Sequence, residues 1–185
     1  MSIIGGAWTP KGGVIAADSA AIQGEVVGLR SDKAYRRGRF LVADCGDSAL
    51  GQYVREFIEE MDDATYNPRH SFLANFRQSF EDFRDRHKIG WSDALGVIVV
   101  CREGLFYLSE GGTVLQKGAD AHDRTYLFDG LGYHVANGAM SAFATLDVEI
   151  TGSVVRSVEM AANVASGCRP PVVAESMTWD DEVPK

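Results

Sequence analysis

The apolar positions change their spacing several times along the chain, and each change marks a different kind of element. Ile3, Ile4 and Ala7, then Val14, Ile15, Ala16 and Ala17, form two short apolar runs. Thr9-Pro10-Lys11-Gly12-Gly13 separates them, and its Pro and Gly predict a turn, so the chain should open on a β-hairpin. Val26, Val27 and Leu29, then residues 40–43, read as further strands, with the basic stretch 33–39 between them. From Leu50 onward the spacing becomes three and four. Leu50, Tyr53, Val54, Phe57, Ile58 and Met61 describe one face of an amphipathic helix, broken by Asn67-Pro68. A second helix carries Leu73, Phe76, Phe80 and Phe83 on one face and Arg77, Glu81, Asp82, Arg84 and Asp85 on the other. An aromatic stripe at helical spacing reads as core rather than as a ligand box.

Strands return at 94–100 and 105–108, joined by the hairpin-like turn Arg102-Glu103-Gly104, and residues 126–128 form a short strand. Two more helices follow, one from beyond Gly132 to about Thr145 and one from Thr151 to about Ala165, stopped by Gly167 and Pro170. Residues 171–177 read as a last strand and 179–185 as a polar, loose tail. Two helix pairs need a sheet to cover, and a layered α+β or α/β/β/α sandwich supplies it. No repeat, linker or low-complexity segment interrupts the pattern, so residues 1–178 read as one domain.

Composition narrows the picture. The 185 residues fit a single domain, which typically takes ~100–200. A hydrophobic fraction of 45% with 24% charged residues excludes global disorder. The net charge of −8 argues against duplex nucleic acid or an anionic membrane face as partner, because both reward clustered Lys and Arg. The longest apolar run, 94–101, is far short of the ~18 residues of a membrane span. MSIIGGAWTPKGG lacks the basic start and long apolar stretch of a signal peptide. Cys45, Cys101 and Cys168 are odd in number and far apart, which gives neither a disulfide framework nor a CxxC metal site and points to a reducing cytosol.

The acid–base inventory is thin. His70, His87, His122 and His134 show no metal-ligand spacing, and neither a GxSxG elbow nor a P-loop occurs. Phe128-Asp129-Gly130-Leu131-Gly132-Tyr133-His134-Val135-Ala136 places GxGxxxA between a strand and a helix. A dinucleotide fingerprint would need an acidic residue at the end of a second strand ~20 residues on, yet Asp147 and Glu149 fall between two helices. Small residues that let a helix start tightly are the better reading. The N-terminus offers more. Ser2 follows the initiator Met, and so small a residue permits Met removal. The freed residue would carry a hydroxyl and an α-amine whose pKa lies near ~8, a nucleophile and base on one residue. Alone, Ser2 is also simply a common second residue.

What gives Ser2 weight is its company. The hairpin runs from Ser2 into Gly13-Val14-Ile15-Ala16-Ala17-Asp18-Ser19, and this opening resembles that of the bacterial protease HslV and of proteasome β-subunits, where an N-terminal Thr starts the strand. Lys33, in Ser31-Asp32-Lys33-Ala34-Tyr35-Arg36-Arg37, resembles the family's catalytic lysine in its spacing. Cys45-Gly46-Asp47-Ser48-Ala49 is similar to the family's small-Gly-x-x-Ala turn before the first long helix, and Val164-Ala165-Ser166-Gly167 to the Ser-Gly that ends its last helix. The order of elements agrees from end to end. The resemblance implies a four-layer αββα sandwich of the N-terminal-nucleophile hydrolase type and amide-bond hydrolysis without a cofactor or metal. It implies that Ser2 attacks the scissile carbonyl and that Lys33, paired with Asp18, holds the hydroxyl reactive. Gly46 would supply an oxyanion-hole N–H, and Ala43 would lie near the specificity pocket. For Asp18 and Lys33 an ordinary ion pair at a strand end is the alternative.

Two positions depart from the family. Asn163 replaces the helix-end Asp that precedes Ser166-Gly167, and Leu131 replaces the serine of a Gly-Ser-Gly junction, so the amine loses a charged acceptor and a hydroxyl. The expected function is an endopeptidase subunit of a self-compartmentalising ring, fed unfolded protein or peptide by an ATP-dependent unfoldase. The alternative is an inactive ring or scaffold protein of the same fold. A small-amide hydrolase fits less well, since so short a chain leaves no room for a large substrate domain.

Overall fold

The computed structural model describes residues 2–23, 26–29, 32–46, 48–63, 71–90, 95–108, 113–118, 124–146 and 148–181. Four strands, β1 (Ile3–Thr9), β2 (Gly12–Asp18), β10 (Thr125–Gly130) and β11 (Val172–Thr178), make one antiparallel sheet in the order β10-β1-β2-β11. A second sheet runs β5 (Ala34–Arg37), β6 (Phe40–Cys45), β7 (Gly96–Cys101), β8 (Gly104–Leu108) and β9 (Val114–Gln116). A separate ribbon pairs β3 (Ala20–Gln23) with β4 (Val26–Leu29). Helices α1 (Ser48–Asp63) and α2 (Phe72–His87) cover the five-stranded sheet, and α3 (Tyr133–Thr145) and α4 (Ile150–Val164) cover the other. The two sheets face each other, which completes the expected αββα sandwich.

Sheets covered on both faces explain why the strands read as unbroken apolar runs rather than as alternation. In β1, Ile3 and Ala7 point into the layer beneath α3 and α4, while Ile4 points between the sheets. Val14 and Ala16 against Ile15 and Ala17 divide β2 in the same way. In β6, Phe40 and Val42 face the α1–α2 layer, while Leu41, Ala43 and Cys45 face the opposite sheet. The aromatic stripe of α2 is core, as its spacing predicts: Phe57 of α1 meets the rings of Phe76 at 5.3 Å and Phe80 at 5.0 Å, edge on.

Three expectations need correction. The basic stretch after position 33 is itself a strand, β5, with Ala34 buried and Arg36 and Arg37 exposed. The tail is not loose from its start. Trp179 is 5% exposed, packs between the sheets, and donates from Nε1 to the Thr9 carbonyl at 2.9 Å, opening a short 3-10 turn over Trp179–Asp181. The strands β3 and β9 were not expected at all. Asn67-Pro68 lies outside the described residues.

The glycine motif resolves as packing. Gly130 (φ 94°) and Gly132 (φ 81°) both adopt backbone conformations that other residues rarely take. A Cβ on Gly130 would meet the Ser2 carbonyl, and one on Gly132 would meet Ala161 of α4 and Ala165 just beyond its end. At the opposite end of α4, Glu149 caps the helix, accepting the Thr151 N–H at 2.7 Å and the Gly152 N–H at 2.8 Å.

Candidate active site

Ser2, Asp18 and Lys33 come from three strand ends that the fold brings to one edge of the sandwich. Ser2 precedes β1, Asp18 closes β2, and Lys33 leads into β5 of the facing sheet. All three are buried, at 6%, 0% and 3% exposure. The Lys33 Nζ donates to Ser2 Oγ at 2.5 Å, to Asp18 Oδ1 at 3.4 Å, and to the Ala20 carbonyl. Those are three acceptors, one for each proton of an ammonium group. The Asp18 carboxylate also accepts the backbone N–H groups of Ile3 at 3.0 Å, Ala20 at 3.1 Å and Arg169 at 3.0 Å. An isolated buried charge would be prohibitive, so this pair stands because each partner is saturated with hydrogen bonds.

The main chain of Ser2 is held as tightly. Its carbonyl accepts the Leu131 N–H at 2.7 Å, which ties the start of β1 to the turn after β10. The Leu131 side chain packs in the α3–α4 layer. The Cys168 thiol donates to the Leu131 carbonyl at 3.6 Å and is wholly buried. Burial, reinforced by the Asp18 charge, lifts that thiol to about 11, so it stays neutral.

The remaining expected residues sit differently. Gly46 (φ 109°) follows β6 directly and is exposed. Ala43 is fully enclosed between the sheets. Asn163 and Ser166 are both exposed, and among the described residues neither makes a side-chain hydrogen bond to Ser2, Asp18 or Lys33. His87 stacks on Phe83 and His134 lies beside Tyr133, while His70 and His122 fall outside the described residues. Among the described residues no His, Cys, Asp and Glu group is arranged to hold a metal ion. No helix among them is long and apolar enough to cross a membrane.

Sequence reasoning missed several contributors. Ala20 and Arg169 act through the main chain, where side-chain identity carries no signal. A second polar cluster lies between the sheets: Asp129 accepts from Tyr107 Oη at 2.8 Å and from Cys45 Sγ at 3.9 Å, and burial lifts the Cys45 thiol to about 12. An open cavity of about 650 Å³, lined by Thr9, Lys11, Arg124, Glu149 and Thr178, lies at the β1–β2 turn. With β1 between them, it is about 20 Å from Ser2.

No family model matches the chain, and no curated protein sequence matches it. Solved structures do. BPH from Thiobacillus denitrificans aligns with a TM-score of 0.75 at 17% identity, over 96% of this chain and 98% of that one. The same protein in complex with epoxomicin gives 0.74 at 17% identity with the same coverage. Eukaryotic HslV from Trypanosoma brucei gives 0.70 at 14% identity, over 95% of this chain and 99% of that one. Identity this low speaks for the fold alone, and on that level the chain has the four-layer sandwich of HslV and BPH over nearly its whole length.

Proposed function

We propose that this protein is a peptidase of the N-terminal-nucleophile type whose nucleophile is Ser2, freed by removal of Met1. The observation that carries the reading is the 2.5 Å contact between Lys33 Nζ and Ser2 Oγ, with Asp18 behind it in a buried setting. An ammonium has protons to give and no lone pair, so Ser2 Oγ accepts from Lys33 and must pass its own proton elsewhere. The free α-amine of Ser2 is the base within reach. In the reaction, Ser2 Oγ bonds to the scissile carbonyl carbon while its proton moves to the amine. The oxyanion that forms takes hydrogen bonds, with the Gly46 N–H as the assigned donor. The amine then protonates the leaving nitrogen, the C–N bond breaks, and an ester to Ser2 remains. Water attacks the ester carbonyl carbon, giving a proton to the amine; the bond from that carbon to Ser2 Oγ then breaks, the amine returns the proton to Oγ, and the carboxylic product leaves.

The fold shared with HslV supports a working unit that is a ring of several copies, enclosing the Ser2 sites in a chamber. Its substrates are unfolded protein or peptides, delivered by an ATP-dependent unfoldase. The three cysteines are free and buried, in keeping with a reducing cytosol. A second reading is favoured by one observation. The side chains of Asn163 and Ser166 are exposed and, among the described residues, make no hydrogen bond to Ser2, Asp18 or Lys33, as in a ring or scaffold protein that has kept the fold and lost catalysis.

Mass spectrometry of the native protein separates the two. Loss of Met1 together with cleavage of a fluorogenic peptide is expected of the peptidase. In that case Ser2→Ala should lower kcat/KM by at least about 10³-fold, and Lys33→Ala by about 10²-fold or more. Met1 retained on every chain, or turnover unchanged in Ser2→Ala, would overturn the peptidase reading.

A further inference from the structure

Lys33 has a long, flexible side chain, and where its Nζ arrives depends on where the backbone at 32–35 is held. Helix α1 holds it. The Arg55 guanidinium donates to the Asp32 main-chain carbonyl, lies 3.1 Å from Asp32 Oδ2 and 3.7 Å from Asp44 Oδ2, and sits 4.3 Å from the centre of the Tyr35 ring. Asp44, only 2% exposed, gives its backbone N–H to the Lys33 carbonyl at 2.9 Å. One side chain therefore grips the residue before Lys33, the ring two residues after it, and the cross-strand residue bonded to its carbonyl. Among the described residues, Arg86–Glu60 and Arg37–Glu59 also join α1 to its neighbours, but both pairs are half exposed and touch nothing at the site.

We infer that Arg55 is a positioning residue that sets the 32–35 backbone in the place from which Lys33 reaches Ser2. A planar guanidinium serves this better than a compact ammonium. Its Nη2 faces the Asp32 carbonyl and the Asp32 and Asp44 carboxylates while its flat face lies on the Tyr35 ring. Lysine at the same place keeps the charge and loses the flat contact with the ring. The inference rests on Ser2 and Lys33 being the catalytic pair, but its physical content, the placement of Lys33, is measurable without turnover.

The test compares Arg55→Met and Arg55→Lys with the parent and with Arg86→Met, a control that removes an exposed ion pair from the α1–α2 surface. Hydrogen exchange follows the Asp44 amide, and competitive acetylation with mass spectrometry follows the accessibility of Lys33 Nζ. The expected result is Asp44 exchange about tenfold faster or more in Arg55→Met, with the Val99 amide of the same sheet unchanged. Acetylation of Lys33 should rise, Arg55→Lys should fall between, and Arg86→Met should match the parent. On a peptide substrate, kcat should drop about 10-fold or more with KM little changed, since the loss lies in the reacting pair. Should Arg55→Met fail to fold, Arg55→Lys is read by the same three measurements. Asp44 exchange and Lys33 labelling equal to the parent, or exchange raised evenly across the sheet, would overturn the inference. A parent without peptidase activity would overturn the function above, while exchange and labelling still decide the role of Arg55.

Discussion

Gly130 shows how little room surrounds Ser2. It stands opposite Ile3 in the β1–β10 register, and its φ of 94° turns the chain so that Leu131 can reach back to the Ser2 carbonyl. A methyl group there would press on that carbonyl in a conformation already unfavourable for any residue with a Cβ. Gly130→Ala should therefore cost about 1–3 kcal/mol of stability by strain alone. The start of β1 must also move, so peptide turnover should fall further than the stability loss explains. Denaturant titration paired with kcat at a temperature where the variant is fully folded checks this. Intact turnover in a destabilised variant would mean Ser2 tolerates displacement.

Elements differ in how plainly the chain announces them, and the reason is burial. The strands β2, β6 and β7 lie between layers, so both faces are apolar and the runs are conspicuous. The strand β5 is an edge strand with Arg36 and Arg37 toward solvent, and β9 has three residues of which two are exposed; neither leaves a periodic apolar trace. The same logic governs the site. Ser2, Asp18 and Lys33 could be named from a resemblance in motif and spacing, whereas Arg55 reads as one more charge on the polar face of a helix. Only the docking of α1 on β6 turns that charge toward Asp44. Glu149 offers an element-scale test. Burial pushes its carboxyl up, but the N–H groups of Gly152 and Thr151 outweigh that and hold it below its ordinary value. A lowered carboxylate stabilises the fold above the ordinary carboxylate range and loses that contribution as pH falls through the lowered value. Glu149→Gln should cost about 0.5 kcal/mol near neutral pH, less than a sheltered cap because solvent screens this exposed group. Denaturant titrations across pH should show the two proteins converging in acid, and a gap that widens there would refute the cap.

At the scale of the whole molecule, the two sheets are held together at both ends by different chemistry. The site end carries the Lys33–Asp18 pair and the Asp129–Tyr107–Cys45 contacts. The far end, at the β1–β2 turn, is closed by Trp179, whose ring packs with the inter-sheet layer while its backbone N–H reaches the Lys11 carbonyl at 3.2 Å. A large ring at the mouth of an apolar layer keeps water out of it, so Trp179→Ala should cost about 3–5 kcal/mol. Trp179→Phe keeps most of the packing but loses the bond to Thr9, worth about 1 kcal/mol, and should fall well below that. Because the two ends are about 20 Å apart, the phenylalanine variant should keep the parent kcat on a peptide while its denaturation midpoint drops. A loss of less than about 1 kcal/mol in Trp179→Ala would show that the layer closes without it. A kcat that falls together with the midpoint in Trp179→Phe would instead show that the sheets move as one body, and that the far end helps set the distance from Lys33 to Ser2.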